Sequence, residues 1–202
     1  LAQALYEKHK ALTYPRTDAR ALPEDYVSTV RATMEMLGES NAYGTHARKV
    51  LKEKWVRPNK RIFNNAKVSD HFAIIPTGLT PKKLSAEESK LFDMVTRRFI
   101  AVFFPSAEFE LTTRITRVEG YPFKTEGKVL GNPGWLAVHG KEAQEGTEGN
   151  LIAVDAGEKV KTEEVAVKAN ETKPPPRYSE ATLLSAMEGA GKMVDDEELK
   201  AA

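Results

Sequence analysis

Apolar residues in the first half of the chain recur at the three- and four-residue intervals of amphipathic helices. These intervals predict helices over residues 1–10, 23–37, 45–55 and 85–104. The last of them opens on a capping box formed by Ser85 and Glu88. Its apolar stripe comprises Leu91, Phe92, Val95, Phe99, Val102 and Phe103. This half of the chain therefore predicts a helical domain, in which the second and third helices form a helix-turn-helix-like pair.

After Pro105 the pattern changes to the alternation of apolar and polar residues that is typical of a half-exposed strand. In residues 109–118 one face carries Phe109, Leu111, Thr113 and Ile115. Further strand-like segments are residues 121–130, 135–138, 151–154 and 158–171, and the acidic, glycine-rich residues 140–150 predict a hairpin loop. A last helix is predicted to begin at Ser179, with Leu183, Leu184 and Met187 facing inwards. Helices followed by an antiparallel sheet predict the α+β class.

Composition excludes several classes of protein. Hydrophobic residues make up 41% and charged residues 29% of the 202 positions, as in ordinary globular proteins. No apolar run approaches the roughly 18 residues of a membrane span, and the absence of cysteine excludes disulfides and thiolate metal sites. Because the chain starts at Leu1 without an initiator methionine, we expect it to be a central piece of a longer protein.

Charge is distributed unevenly along the chain. Residues 1–83 carry 15 Lys and Arg against 8 Asp and Glu, for a net charge of +7, whereas residues 140–202 carry 8 against 14, for −6. The segment from Arg48 to Lys67 has eight basic residues and one acid. A basic front half favours a polyanionic partner, although a solvated helix face and a basic loop would have the same composition.

Tyr14 is the most distinctive candidate for chemistry. It lies in an extended segment, since the residue before a proline is pushed out of the helical region, and Pro15 restricts the backbone that follows. Arg16 is two residues on, which in an extended chain places it on the same side as Tyr14. A guanidinium can stabilise a phenolate and can bind a phosphate with two hydrogen bonds. The alternative is a packed aromatic residue beside a proline.

Three motifs carry a resemblance to one family. The runs LTYPRTD (residues 12–18), DHFAIIPT (residues 70–77) and KPPPRYSEATLLSAME (residues 173–188) occur in this order. They resemble the active-site and DNA-gate motifs of type IA DNA topoisomerases, in particular the bacterial topoisomerase III branch. The resemblance spans nearly the whole chain.

The resemblance implies roles for individual residues. Tyr14 would attack a phosphate of single-stranded DNA to give a 5′-phosphotyrosyl link, Arg16 would stabilise the developing charge, and His71 would assist by hydrogen bonding or proton transfer. The resemblance also implies that Asp18, Arg177, Ser179 and Thr182 contact or orient the DNA. The charge of the basic segment, independently of the resemblance, adds the basic patch of Arg48, Lys52 and Arg61 as candidate phosphate contacts. Ser179 could equally be the cap of its helix, and His71 a capped loop histidine.

The resemblance also implies an organisation. Residues 1–104 would form the helical tyrosine domain, residues 105–172 part of a β-rich arch, and residues 173–202 the start of a gate domain. The parent enzyme would be a cytoplasmic, nucleoid-associated monomer that relaxes or decatenates DNA without ATP. Its Mg²⁺ would be held by an N-terminal Toprim domain, so the 202 residues alone are expected to bind no metal and to be inactive.

Two other functions fit parts of the sequence. Tyrosine recombinases and type IB topoisomerases also use Arg, His and Tyr, but their tyrosine follows the other two residues, whereas Tyr14 precedes His71. A non-catalytic helix-turn-helix-like DNA-binding module would account for the basic second helix of the pair. It would not require Tyr14.

Overall fold

A computed structural model describes residues 1–140 and 154–190. The chain divides into two compact units, Leu1–Glu158 and Lys159–Ala202. The helices are α1 (Ala2–Glu7), α2 (Val27–Gly38), α3 (Gly44–Lys52) and α4 (Ala86–Ala101) in the first unit and α5 (Glu180–Glu188) in the second. The strands are β1 (Glu108–Val118) and β2 (Tyr121–Asn132), and short 3-10 helices lie at Glu24–Tyr26, Asn65–Lys67 and Gly134–His139. None of the described helices is long and apolar enough to cross a membrane.

The four predicted helices of the first half are present, and their apolar faces form the core. Side chains buried between α2, α3 and α4 include Val30, Met34, Leu37, Val50, Phe99 and Ile100. The capping box of α4 is also confirmed: Ser85 Oγ accepts from the Glu88 amide at 3.1 Å, and the Ser85 amide donates to Glu88 Oε2 at 2.8 Å. This second bond holds the pKa of Glu88 below its ordinary value.

Three details of these helices differ from the predictions. Helix α1 ends at Glu7 and not at Lys10. Val102 is 41% exposed, because it lies at the edge of the α4 stripe, one residue beyond the end of the helix. Helix α3 ends at Lys52 rather than at Trp55, since Lys54 takes a left-handed backbone conformation with a φ of 55°. The Trp55 ring still packs on Phe104, with the ring centroids 4.8 Å apart.

Strands β1 and β2 form an antiparallel hairpin, as the alternating pattern predicted. Glu119 and Gly120 connect them with φ angles of 48° and 83°, the positive pair that a two-residue type I′ turn requires. In the register, Leu111 faces Lys128 and Ile115 faces Lys124. The predicted inward face is nevertheless open to solvent within the described structure, since Leu111 is 76% and Ile115 51% exposed.

The segment after the hairpin is helical and not the strand predicted over residues 135–138. Gly134 has a φ of 48°, and a Cβ built there would clash with the Ser106 carbonyl oxygen. The Gly134 amide donates to Asn132 Oδ1, and the Trp135 amide donates to the Pro105 carbonyl. These bonds turn the chain at the base of the hairpin, where strand geometry is impossible.

Arg97 fastens this turn to α4. Its Nε donates to both carboxylate oxygens of Asp93, at 3.0 and 2.8 Å, and its Nη1 donates to the Val138 carbonyl at 2.8 Å. The guanidinium also lies 6.0 Å from the centre of the Tyr43 ring. Burial, aided by the Asp93 carboxylate, raises the pKa of Tyr43 to about 12, whereas burial followed by the Arg97 charge lowers the pKa of His46. The hairpin is thus attached to the helical core through a polar cluster.

The strand predicted over residues 158–171 is wrong, because these residues are exposed and pair with no other strand in the described structure. Helix α5 begins at Ser179 as predicted, but its apolar residues do not face inwards. Leu183, Leu184 and Met187 are 47%, 61% and 64% exposed. Most of the predicted loop at 140–150 and strand at 151–154 lies outside the described residues. The predicted domain boundaries stay predictions.

Tyr43→Phe should change how stability depends on alkaline pH. The phenol of Tyr43 ionises near the ordinary tyrosine pKa of 10.0 in the unfolded chain, whereas its pKa in the folded chain is about 12. Between these values only the unfolded chain loses the proton, so the free energy of unfolding falls as the pH rises. Urea unfolding from about pH 9 to pH 12 should show a steeper fall in the free energy of unfolding for the wild type than for Tyr43→Phe.

Tyr121→Phe, which alters a phenol that is 72% exposed, is the control and should follow the wild type. Parallel profiles for all three proteins would contradict the assignment.

Candidate active site

The Tyr14 and His71 motifs lie side by side because their backbones pair. Leu12 and Pro76 form an antiparallel bridge. The Thr13 amide donates to the Ile75 carbonyl, and the Thr77 amide donates to the Ala11 carbonyl, both at 3.0 Å. Pro76 has no amide hydrogen, so it suits the position between these two bonds. Two motifs that are far apart in the sequence are thereby brought together.

The chain after Tyr14 is held at its far end as well. The Ala73 amide donates to the Ala21 carbonyl at 3.0 Å, and Leu22 forms a parallel bridge with Phe63. Ala21 and Leu22 are both nearly inaccessible to solvent. The segment between Leu12 and Ala21 is therefore a loop whose two ends are anchored in the core and whose middle faces solvent.

The Tyr14 ring packs on the His71 ring. Their centroids are 4.1 Å apart and their planes are inclined by 34°. Tyr6 of α1 meets Tyr14 edge-on, with centroids 5.4 Å apart and an interplanar angle of 88°. The phenol of Tyr14 is half-buried, so the ring is restrained and yet not sealed within the core.

An open cavity of about 270 Å³ lies next to this pair. Its walls are Arg16, Thr17, Asp18, Ser69, Asp70 and His71. The structure thus brings the predicted Arg16, Asp18 and His71 together at one cavity, with Tyr14 in contact with the histidine. Such a set of a phenol, an imidazole and a guanidinium can perform nucleophilic attack, proton transfer and charge stabilisation at a phosphate.

The described residues contain no group of three or more His, Asp or Glu side chains arranged to hold a metal ion. Asp18 and Asp70 both line the cavity, but they do not form such a group. The donor set within residues 1–140 and 154–190 therefore does not fit a magnesium site.

The predicted DNA-binding residues of the basic patch differ in their surroundings. Arg48 donates through Nη1 to the Gly38 carbonyl and so places its charge at the C-terminus of α2. Lys52 and Arg61 are exposed and form no ion pair within the described part of the chain. Lys60 is paired with Glu24 at 2.6 Å, a contact that lowers the pKa of Glu24. Lys52 and Arg61 are thus better placed than Arg48 to meet a phosphate.

The other three predicted DNA contacts belong to the second unit. Ser179 and Thr182 form a reciprocal capping box: the Ser179 Oγ accepts from the Thr182 amide at 3.3 Å, and the Ser179 amide donates to Thr182 Oγ1 at 2.8 Å. Both hydroxyls therefore have a structural use as the cap of α5. Arg177 is exposed two residues before this cap.

Three residues at the site received no role from the sequence. Asp70 lines the cavity. The hydroxyls of Thr13 and Thr17 donate to the carbonyls of Ala73 and His71, respectively. Asp70 could have been found from its place directly before His71 in the second motif. The two threonines flank the segment Tyr14–Arg16, but their bonds depend on which strand lies opposite, and no local pattern indicates that.

Comparisons with known proteins show which family this sequence is similar to. The sequence model of a family described as DNA topoisomerase matches residues 1–191. A protein named DNA topoisomerase 3 from Bacillus licheniformis is 39% identical over 202 residues, which cover 97% of this chain and 28% of that protein. DNA topoisomerase 3 of Bacillus subtilis strain 168 is 38% identical, with the same shares covered. The chain thus spans little more than a quarter of the length of these relatives.

The free energy of unfolding should distinguish Arg48, which bonds to the end of α2, from Lys52, which does not. Arg48→Ala removes the cation that bonds to the end of α2, and we expect it to lower the free energy of unfolding by about 1 kcal/mol. Lys52→Ala, one turn along the same helix, should change it by less than about 0.5 kcal/mol. Urea unfolding of the two variants and the wild type measures both values. Equal effects would show that the Arg48–Gly38 bond does not stabilise the fold.

Proposed function

Since the chain belongs to the bacterial type IA DNA topoisomerases, in the topoisomerase III branch, we propose that it is the strand-cleaving part of such an enzyme. In this proposal Tyr14 cleaves single-stranded DNA reversibly, a strand passes through the break, and the break is resealed without ATP. The longer enzyme acts as a monomer on the nucleoid in the cytoplasm, where it relaxes or decatenates DNA.

The observation that carries the proposal is the stacking of Tyr14 on His71 beside the cavity that Arg16 lines. A buried structural tyrosine would have no need of an open polar cavity next to it. In the proposed step Tyr14 Oη forms a bond to phosphorus and the bond from phosphorus to the 3′ oxygen breaks. The phenol proton leaves Tyr14, and the departing 3′ oxygen takes up a proton. The product is a 5′-phosphotyrosyl link and a free 3′-hydroxyl, and reversal of the same steps reseals the strand.

Each neighbour has a part in this step. Arg16 binds the scissile phosphate and offsets the charge of the transition state, as a guanidinium does most effectively with two hydrogen bonds. His71 hydrogen-bonds to the phosphate or moves a proton at it. Asp18, on the cavity wall beside Arg16, orients the guanidinium and does not transfer a proton. The covalent link conserves the energy of the phosphodiester, so that resealing requires no cofactor energy.

DNA is held by residues outside the cavity in this proposal. Lys52 and Arg61 contact phosphates from the basic patch, and Arg177, Ser179 and Thr182 contact the strand from the second unit. Arg48 contributes to the local potential through the charge that it places at the end of α2. The tyrosine domain, residues 1–104, swings on the arch of residues 105–172 to open the break. Residues 173–202 begin the gate.

We propose that cleavage by the longer enzyme uses Mg²⁺. In this proposal Mg²⁺ is bound by another part of the longer enzyme, the N-terminal Toprim domain that the resemblance implies. We accordingly propose that the 202 residues alone do not cleave DNA. Covalent adducts formed by the purified chain with Mg²⁺ and single-stranded DNA would refute this point.

Tyr14→Phe tests the nucleophile. In the full-length enzyme that contains this chain, the variant should form no covalent adduct with an end-labelled single strand on a denaturing gel. Its affinity for the uncleaved strand should stay within about twofold, since loss of one hydroxyl leaves the phosphate contacts in place. Tyr6→Phe, which alters the phenol packed edge-on against Tyr14, is the matched control and should retain adduct formation. Adducts with Tyr14→Phe, or unaltered supercoil relaxation by it, would favour a pure DNA-binding module.

The salt dependence of binding tests the basic patch. In a plot of log Kobs against log salt concentration, each phosphate contact to a single DNA strand makes the negative slope steeper by about 0.7. Lys52→Ala and Arg61→Ala should each reduce the slope by about this amount in the full-length enzyme. Lys60→Ala should reduce it less, because Lys60 is already paired with Glu24. A slope unchanged in all three variants would exclude the patch as a DNA surface.

A further inference from the structure

Two threonines flank the segment Tyr14–Arg16, and each uses its hydroxyl twice. Thr13 Oγ1 donates to the Ala73 carbonyl at 3.1 Å and accepts from the Ile75 amide at 2.9 Å. Thr17 Oγ1 donates to the His71 carbonyl at 3.0 Å and accepts from the Ala19 amide at 3.0 Å. Both hydroxyls therefore bond to the backbone of residues 71–75, Thr13 from the position before Tyr14 and Thr17 from the position after Arg16.

These side-chain bonds lie next to the point where the backbone pairing around the Leu12–Pro76 bridge ends. The Ile75 amide donates to a side-chain hydroxyl of Thr13, although the Thr13 amide donates to the Ile75 carbonyl in the ordinary way. Pro15 has no amide hydrogen to continue the ladder. The bond from Thr17 to the His71 carbonyl joins the two segments again beyond the proline. The hydroxyls thus bridge the gap in the backbone pairing that the Tyr14 loop creates.

Apolar burial restrains little of this loop, because most of its functional side chains are exposed. Arg16, Asp18 and His71 all lie at the surface, and Tyr14 is only half-buried. The buried anchors are Leu12 before the loop and Ala21 after it. The whole loop separates these anchors, which would leave the Tyr14 and His71 rings free to drift apart if nothing bonded between them.

We propose that Thr13 and Thr17 are positioning residues for DNA cleavage: together they hold residues 71–75 against both ends of the Tyr14–Arg16 segment. This inference rests on the proposed function, since it concerns the same reaction. Thr17 is the more direct of the two, because its acceptor is the backbone of His71 itself. Neither threonine needs to touch DNA for this role.

Valine tests the hydroxyl because it keeps the shape of threonine and cannot hydrogen-bond. In the full-length enzyme, Thr17→Val should slow adduct formation at saturating single-stranded DNA by about tenfold to a hundredfold, the effect of a small misplacement of reacting groups. Its affinity for the strand should stay within about twofold, because no phosphate contact is lost. Thr17→Ser retains the hydroxyl and should restore most of the rate.

Thr77→Val is the matched control. The Thr77 hydroxyl donates to the Lys10 carbonyl at 2.6 Å, so it joins the same two segments at the end away from Tyr14. This variant should cleave at the wild-type rate. An equal loss of rate in Thr77→Val and Thr17→Val would mean that the hydroxyls act only through general stability, which would overturn the proposal.

A spectroscopic readout on the 202-residue chain is independent of activity. The Tyr14 ring, with its centroid 4.1 Å from that of His71, must shift the ring-proton resonances of the histidine. Thr13→Val and Thr17→Val should move these resonances towards the values of an unstacked imidazole, whereas Thr77→Val should not. Unmoved resonances in Thr17→Val would overturn the proposal.

The outcomes separate this inference from the proposed function. If Tyr14→Phe still forms adducts, the proposed function itself fails. If Tyr14→Phe is inactive but Thr17→Val cleaves at the wild-type rate, the positioning role alone is wrong. If the valine variant does not fold, the serine variant decides, and a loss of about tenfold in Thr17→Ser would then contradict a role for the hydroxyl.

Discussion

The candidate site depends on one contact between distant parts of the chain, the pairing of residues 11–13 with residues 73–77. Ala11, Leu12 and Pro76 are buried at this pairing, and the first two pack in the second core cluster together with Leu5 and Phe92. The nucleophile candidate follows one segment directly, and His71 precedes the other. Without the pairing, Tyr14 and His71 would be unrelated residues on separate loops. The chemistry at the site is therefore tied to hydrogen bonds and apolar burial a few residues away.

A second polar connection, at Arg97, attaches the β hairpin to the same helical core. It joins α4 to the turn at Val138 through Asp93 and a backbone carbonyl, and it lies against Tyr43. An isolated two-stranded hairpin is marginally stable in water, and this one exposes apolar residues on β1 and β2. The attachment at its base thus has a stabilising role that its own pairing cannot supply.

Local features of the fold could be predicted from the sequence, and features that depend on a distant partner could not. The capping box at Ser85, the apolar stripe of α4 and the hairpin each depend on residues close together in the chain. The prediction of a strand over residues 158–171 was wrong because an alternating pattern indicates only a preference for extended backbone. A β-strand forms only where another strand pairs with it. The stripe of α5 failed for the same reason, since no apolar surface within the described part of its unit covers Leu183 and Leu184. At the site, Arg16, Asp18 and His71 could be named from motifs. Thr13 and Thr17 belong to the same motif as Tyr14, but their hydrogen bonds to residues 71–75 could not be predicted because those partners lie 54–62 residues away in the sequence.

Strand cleavage at the proposed site requires that the Tyr14 oxygen can meet a backbone phosphorus in line, with Arg16 and His71 around the same phosphate. A crystal structure of the full-length wild-type enzyme bound to a short single strand, with a methylene group in place of the leaving 3′ oxygen so that the strand is not cleaved, measures this directly. We predict that Tyr14 Oη lies about 3–3.5 Å from one phosphorus, opposite the methylene that replaces its 3′ oxygen, with Arg16 and His71 within hydrogen-bond reach of that phosphate. A DNA strand that lies elsewhere on the surface, with the Tyr14 ring still packed against His71 and no phosphate in the cavity, would contradict this prediction.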